Sequence, residues 1–276
     1  MMLYTEYDDE ILKHLQNIEL MILKDFIEIC EKNNLKYYLI YGTQIGAIRH
    51  NGFIPWDDDI DIIMFRDDYE KFLKIMDSIN SEKYEILDCR YKSDYFFQFG
   101  KLCLKDTHCS ELWDSHISYK TGIHVDLFIL DKIPKNKIKQ FLFIRRCFIL
   151  NKLYAVSTIK FEHHPKIINI FLNLLHNILN LLNFTPEFFQ KKVSKVFRKY
   201  ESIQSEYYAD LTLNEKLVFK FSDFEPCKKE NFEGIIVNIP NNNYSTLERL
   251  YGDYMQLPPE EEKFNHALET IDFGKY

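Results

Sequence analysis

The chain has 276 residues, enough for one large domain or two modest ones with ample core. Hydrophobic content of 46% and charged content of 28% exclude a disordered or fibrous chain and fit a soluble globular one. The net charge of −7 gives no reason to expect a nucleic-acid partner, but it is unevenly spread: residues 132–199 hold fourteen Lys and Arg against two acids, Glu162 and Glu187.

The first ten residues are acidic and lack an apolar run, so they do not read as a signal peptide. In residues 8–32, Ile11, Leu12, Leu15, Ile18, Ile22, Phe26 and Ile29 recur at helical spacing. Asp8 and Asp9 stand at the start and Asn33-Asn34 at the end, so an amphipathic helix is predicted. Tyr37–Tyr41 predicts a strand. Gly42-Thr43 then turns into a short helix carrying Gln44, Arg49 and His50, and such a turn can offer backbone N–H groups to an anion.

Asp57, Asp58, Asp59 and Asp61 crowd into five residues ahead of Ile62, Ile63 and Met64. The alternation Asp59-Ile60-Asp61-Ile62 predicts a strand with both carboxylates on one face and Ile60 and Ile62 buried behind them. Two like charges on one face repel, and a divalent cation removes the conflict; carboxylates suit Mg²⁺ or Mn²⁺.

Asp67–Ile79 predicts a helix, and Tyr84–Asp88 and Tyr95–Leu104 predict strands, with Lys101 and Lys105 at or near the end of the second. Gly122–Phe128 is a further strand, in which Asp126 interrupts an apolar run where a lone charge is costly. It is the natural third carboxylate for the site, whereas Asp131 reads as a loop residue beyond the run. The six cysteines show no paired spacing that would hold zinc and read as free thiols of a reducing compartment.

Residues 138–156 are apolar with Lys139, Arg145, Arg146 and Lys152 interspersed. Residues 167–184 carry no charge, and their polar members (Asn169, Asn173, His176, Asn177, Asn180 and Asn183) form a narrow stripe on one helix face. Such a helix either lies in a membrane interface or packs on its neighbours. Lys191, Lys192, Lys195, Arg198 and Lys199 form a basic helix suited to anionic headgroups. Further on, Phe232–Ile239 predicts a strand ended by Pro240, and Tyr244–Tyr254 a helix.

Three blocks of this sequence resemble the LicD family of phosphocholine transferases, within the nucleotidyltransferase-fold superfamily; fukutin-type ribitol-phosphate transferases are more distant relatives. They are GTQIGAIRHNGFIPWDDDIDI, within Tyr41–Met64; GIHVDLFILD, residues 122–131; and IPNNNYSTLERLYGDYMQLPPEEEKFNH, residues 239–266. The resemblance implies an α+β fold, with a nucleotidyltransferase-like mixed sheet flanked by helices and a basic, apolar helical insert. The expected division is a catalytic core over 1–131, a helical subdomain over 132–204 that is membrane-interfacial or simply solvated, and a C-terminal part, 205–276, completing the core.

By the same resemblance, Asp59, Asp61 and Asp126 are the catalytic acids and hold Mg²⁺ or Mn²⁺. Asp57 is an accessory acid, Gly42 and Thr43 contact nucleotide phosphate, and Lys101 and Arg49 are further phosphate contacts, with pairing to the acids an equal alternative for Arg49. The implied reaction moves phosphocholine, or a related phospho-alcohol, from a CDP-activated donor such as CDP-choline to a hydroxyl of a surface glycan or its lipid-linked precursor, releasing CMP. A nucleotidyl transfer releasing pyrophosphate, or a glycan- or partner-binding role without chemistry, are the alternatives. The expected place is the cytoplasm, peripheral on the cytoplasmic face of the membrane through residues 138–200.

Overall fold

The computed structural model describes residues 8–92, 95–111, 120–162, 165–212, 217–263, 265–266 and 268–276. Helix α1 (Asp9–Lys32) is capped by Asp8, whose carboxylate accepts from the Glu10 N–H at 2.8 Å, and buries Leu15, Ile18, Ile22, Leu23 and Phe26. Strand β1 is only Tyr38–Leu39, because Tyr41 already opens the five-residue α2 (Tyr41–Ile45), continued by a π-helical turn over Gly46–His50. Strand β2 (Asp61–Phe65) begins two residues later than the alternation predicts, leaving Asp59 in the approach to the strand. Ile60 and Ile62 do lie in the core.

Helix α3 (Arg66–Ile79) leads to β3 (Tyr84–Leu87), β4 (Gly100–Leu104) and β5 (His108–Glu111). Tyr95–Phe99, predicted as part of a strand, instead form an irregular approach to β4. Strand β6 (His124–Lys132) is the centre of the molecule. It pairs in parallel with β2 along one side; along the other it pairs antiparallel with β4 through residues 124–127 and with β7 (Tyr207–Asp210) through residues 130–132. Phe128 and Ile129 fall between those two partners, which opens a notch in the sheet. The order is β1-β2-β6-β4-β3, with β7 and then β8 (Val218–Lys220) continuing from β6. This mixed sheet with flanking helices is an α+β fold.

Both sheet faces are covered, so strand residues alternate between two cores. Ile62, Met64, Leu127 and Ile129 pack with α1 and α3, while Ile63, Phe65, Phe128 and Leu130 pack with Tyr38, Tyr41, Phe219 and Phe224. Asp131 corrects the sequence reading: it lies inside β6, buried, and accepts from Arg66 Nε and Nη2 at 2.8 and 2.7 Å in a two-pronged pair.

Between β6 and β7 the chain forms α4 (Lys137–Thr158), α5 (Lys166–Leu181) and α6 (Pro186–Phe197), with their own core of Phe143, Ile144, Cys147, Leu179, Phe189, Val193 and Phe197. The predicted strand at 232–239 is one arm of a hairpin, β9 (Lys228–Phe232) and β10 (Ile235–Ile239). Its two-residue turn, Glu233-Gly234, has positive φ at both positions, which favours glycine at the second. The predicted helix at 244–254 is shorter, a π-helical turn over Tyr244–Glu248 and one α-turn to Tyr251. Finally β11 (Leu268–Asp272) pairs antiparallel with β5.

Candidate active site

Three adjacent strands bring three charges into one row. Asp61 of β2 is the register partner of Asp126 of β6, and Lys101 of β4 is the partner of Asp126 on its other side. Register partners share a sheet face, so the side chains meet without any turn or loop to separate them. Thr43 secures the start of β2, its Oγ1 accepting from the Asp61 N–H at 2.8 Å. Asp59 joins the row from the preceding segment, and together Asp59, Asp61, Lys101 and Asp126 line a cleft of about 480 Å³.

The remainder of the cleft is aromatic and apolar: Tyr41, Phe97, Phe99, Phe128 and Tyr251 line it, with His266 at its edge. Phe128 is two residues beyond Asp126 and so lies on the same face, at the notch. The Phe99 ring packs at 4.6 Å and the Tyr41 ring at 5.3 Å from it, centroid to centroid. Lys101 Nζ stands 5.9 and 5.8 Å from the Phe97 and Phe99 rings, so this wall already accepts a cation.

Lys101 is buried and pairs with Asp126 Oδ1 at 3.1 Å. It also lies 2.7 Å from His124 Nε2, and His124 Nδ1 lies 2.9 Å from the Gly122 carbonyl. With the ammonium donating to Nε2, the ring proton belongs on Nδ1, facing that carbonyl. Asp126 Oδ1 is nevertheless buried without a hydrogen bond of good geometry. Burial, reinforced by Asp59, Asp126 and Asp57, pushes the Asp61 carboxyl well above the ordinary range. Burial with Asp59 and Asp58 does the same to Asp57.

Behind the row lies a small hollow, about 30 Å³, lined by Glu19, Asp58, Asp59, His124, Asp126 and His266. Glu19 comes from the apolar stripe of α1; it is 3% exposed, and its Oε2 has no hydrogen-bond partner. Burial and the neighbouring aspartates raise its carboxyl too. Asp58, buried, holds the distant C-terminal segment: its carboxylate accepts from the His266 N–H at 3.0 Å and lies 3.0 Å from His266 Nδ1. The sequence names Asp58 in the acidic cluster and His266 in the C-terminal block without giving either a role, and it does not point to Glu19. An acid on the buried stripe of α1 was the available signal for Glu19; for Asp58 and His266, 208 residues apart, only the C-terminal block hinted at a role.

The expected phosphate contacts divide. Lys101 lines the cleft, as described. Gly42 lies against Asp57, where a Cβ would stand 3.0 Å from Oδ2. Thr43 is buried with its hydroxyl spent on Asp61, and it does not line the cleft. Arg49 also lies off the cleft, its Nη1 donating to the carbonyls of Tyr254 and Gln256 at 2.6 and 3.0 Å; it ties the C-terminal block to the signature loop. Burial lowers its pKa, with Asp57 opposing.

The donor set fits a hard divalent ion: carboxylates on one face, one buried oxygen short of a hydrogen bond, and acids held above their ordinary range by burial and by one another. Among the described residues no three acidic, histidine or cysteine side chains converge closely enough to hold an ion as they stand. Burial pushes the thiols of Cys30, Cys89, Cys103 and Cys147 upward, against any nucleophilic use.

Residues 34–164 match the family model described as LicD/FKTN/FKRP, nucleotidyltransferase domain. The chain is 30% identical over 269 residues to the lipopolysaccharide cholinephosphotransferase LicD of Haemophilus influenzae, spanning 94% of this chain and 96% of that one. Two uncharacterized rickettsial proteins match over shorter stretches. That of Rickettsia prowazekii is 30% identical over 42% of this chain and 40% of its own length, and that of Rickettsia typhi 42% identical over 51% and 38%. Likeness along nearly the full length of both chains, on a mixed sheet that gathers the acids of the signature into one cleft, makes this chain an enzyme of the LicD family of transferases.

Proposed function

We propose that this enzyme transfers phosphocholine from CDP-choline to a hydroxyl of a cell-surface glycan or its lipid-linked precursor, on the cytoplasmic side of the membrane, and releases CMP. The observation that supports it is the pairing, in one cleft, of a carboxylate row with an aromatic wall. The acids suit the diphosphate with its counter-ion. The rings of Tyr41, Phe97, Phe99, Phe128 and Tyr251 suit a quaternary ammonium, which is drawn to ring faces and needs no hydrogen bond. Glycerol and ribitol would bring hydroxyls into an apolar wall that offers them few partners. The name of the Haemophilus relative agrees in both the group moved and the class of acceptor.

Asp59 and Asp61, with Asp126 as third carboxylate, would hold Mg²⁺ or Mn²⁺. Such an ion would neutralise the diphosphate as the bond to the leaving group breaks. The acceptor oxygen attacks the β-phosphorus, the new P–O bond forms, and the electron pair of the broken bond leaves on CMP. The alternative role for Asp126, outside that donor set, is to take the acceptor proton. Lys101 orients Asp126 and adds positive charge beside the transferred phosphoryl group. Asp58 orients His266 at the rim of the cleft.

The test measures thermal shift and nucleotide release with Mg²⁺ or Mn²⁺ and CDP-choline, CDP-ethanolamine, CDP-glycerol, CDP-ribitol or CTP, with Asp59→Asn/Asp61→Asn as control. A metal-dependent shift with CDP-choline, lost in the control and accompanied by CMP release onto acceptor, is the expected result. A shift confined to CTP, with pyrophosphate released, would refute it in favour of nucleotidyl transfer.

A further inference from the structure

Helix α5 turns Asn169, Asn173 and His176 of its polar stripe inward, and leaves a broad apolar side turned out. Asn173 makes two hydrogen bonds to the backbone of Phe161, accepting from its N–H and donating to its carbonyl, each at 2.9 Å. His176 is buried with Nδ1 2.7 Å from the Val156 carbonyl, and Asn180 Nδ2 lies 2.9 Å from its Nε2. Asn169 donates to the Glu162 carbonyl at 2.9 Å. Asn169 and Asn173 are thus spent on the backbone of the α4–α5 connection, and His176 on that of the end of α4. What remains outside is Ile167 (83% exposed), Ile170 (69%), Phe171 (64%), Leu174 (56%), Ile178 and Leu181 (81%). A water-facing helix puts its apolar side against the core; this one packs Leu172, Leu175 and Leu179 inward but leaves most of its apolar residues outside, so its outer face matches a non-aqueous neighbour.

Cations accompany that face. Exposed Phe141 on α4 has the Arg145 guanidinium 6.0 Å from its ring, and exposed Phe188 on α6 has Lys192 Nζ at 5.8 Å. Phe188 in turn packs at 5.1 Å on Phe184, at the end of α5. Apolar groups flanked by long basic side chains match the boundary between acyl chains and anionic headgroups. A second copy would oppose one basic segment with another, fourteen Lys and Arg against two acids on each side, so charge disfavours self-association through this face. Among the described residues no single helix is long and apolar enough to cross a bilayer, and α5 and α6 meet at a 94° bend. By its length α5 suits a position along a bilayer surface better than one across it.

We infer that the outer face of α5, with the exposed apolar residues of α4 and α6 and their basic neighbours, docks this enzyme on an anionic lipid bilayer. The inference deepens the proposed transfer reaction, on which it rests only for its purpose: it brings the cleft to acceptors that are carried on lipid.

The experiment is flotation of the full chain with vesicles of phosphatidylcholine alone or mixed with phosphatidylglycerol. It is run for the wild type, for Ile170→Asp/Phe171→Asp/Leu174→Asp, and for Lys191→Glu/Lys192→Glu/Lys195→Glu. Far-ultraviolet circular dichroism melts establish that both variants fold, which is expected because the altered side chains on α5 point outward. The wild type is expected to float with the mixed vesicles and to be released by salt, and each variant to partition at least about tenfold more weakly. A wild type that stays in the aqueous fraction with both vesicles, or an apolar variant that floats as well as the wild type, overturns the inference. So does sedimentation showing a dimer that the apolar variant dissociates. The vesicles carry neither donor nor acceptor, so loss of flotation leaves the transfer reaction standing; loss of transfer to a soluble glycan with flotation intact does the opposite.

Discussion

Replacing Asp61 by Asn should stabilise the metal-free protein at alkaline pH, although the same change should abolish transfer. Asp61 and Asp126 are register partners on neighbouring strands, and such strands lie about 5 Å apart. Two unit charges at about 5 Å interact by roughly 3 kcal/mol at an effective dielectric of ~20. Lys101 on the other flank of Asp126 offsets part of this, which leaves about 1–3 kcal/mol to be gained. The sign follows from the raised carboxyls of Asp61, Asp57 and Glu19: the folded protein holds protons that the unfolded chain has released. Metal-free stability therefore falls as pH rises from the ordinary carboxylate range, about 4, through the raised values of the cluster. In thermal melts with chelator at about pH 8, Asp61→Asn should melt roughly 3–10 °C above the wild type, and the gap should close only below about pH 4, where the carboxyl is protonated in the folded and unfolded states alike. With Mn²⁺ added the order should reverse, since only the wild type keeps the full donor set. An Asn variant that melts at or below the wild type at alkaline pH without metal would show that the protein itself satisfies this carboxylate, and the argument for a bound cation would collapse.

Three further outcomes follow from other contacts. Arg66→Met strands the buried Asp131 carboxylate and should cost about 3–5 kcal/mol in urea unfolding, most of it recovered in Arg66→Met/Asp131→Leu; equal losses in single and double variants would refute the pair as the cause. Asp58→Ala removes the acceptor for both the His266 N–H and ring, so it should lower stability by about 1–3 kcal/mol as well as transfer, whereas His266→Ala, whose ring is half exposed, should lower transfer with a smaller change in melting. For Phe97→Leu/Phe128→Leu, the preference for CDP-choline over CDP-ethanolamine in competition binding should fall by about tenfold, and an unchanged ratio would remove the aromatic wall from the account of the donor.

Much was legible because it depends on near neighbours in the chain. Helix α1 follows from apolar residues at helical spacing behind an aspartate cap, and α3 and α5 from the same periodicity. Ile60 and Ile62 lie in the core as the alternation with Asp59 and Asp61 requires, since backbone geometry alone sends successive side chains to opposite sides. The cost of a charge in an apolar strand singled out Asp126, and the order of three motif blocks pointed to the family.

What the sequence could not decide were partners chosen across long stretches of chain. Asp131 looks like a loop residue until Arg66 is seen to neutralise it, 65 residues away, and then β6 can run on through it. Arg49 and Thr43 have the chemistry of phosphate contacts, yet the fold spends them on the Tyr254 and Gln256 carbonyls and on the Asp61 N–H. β11 pairs with the distant β5, and Asp58 holds His266, just ahead of β11, beside the acid cluster. The polar stripe of α5 is plain in the sequence, but periodicity gives a direction without saying which way is in. The tertiary structure decides it: the backbone groups of the α4–α5 connection claim Asn169 and Asn173, and Ile167, Ile170 and Ile178 are left outside.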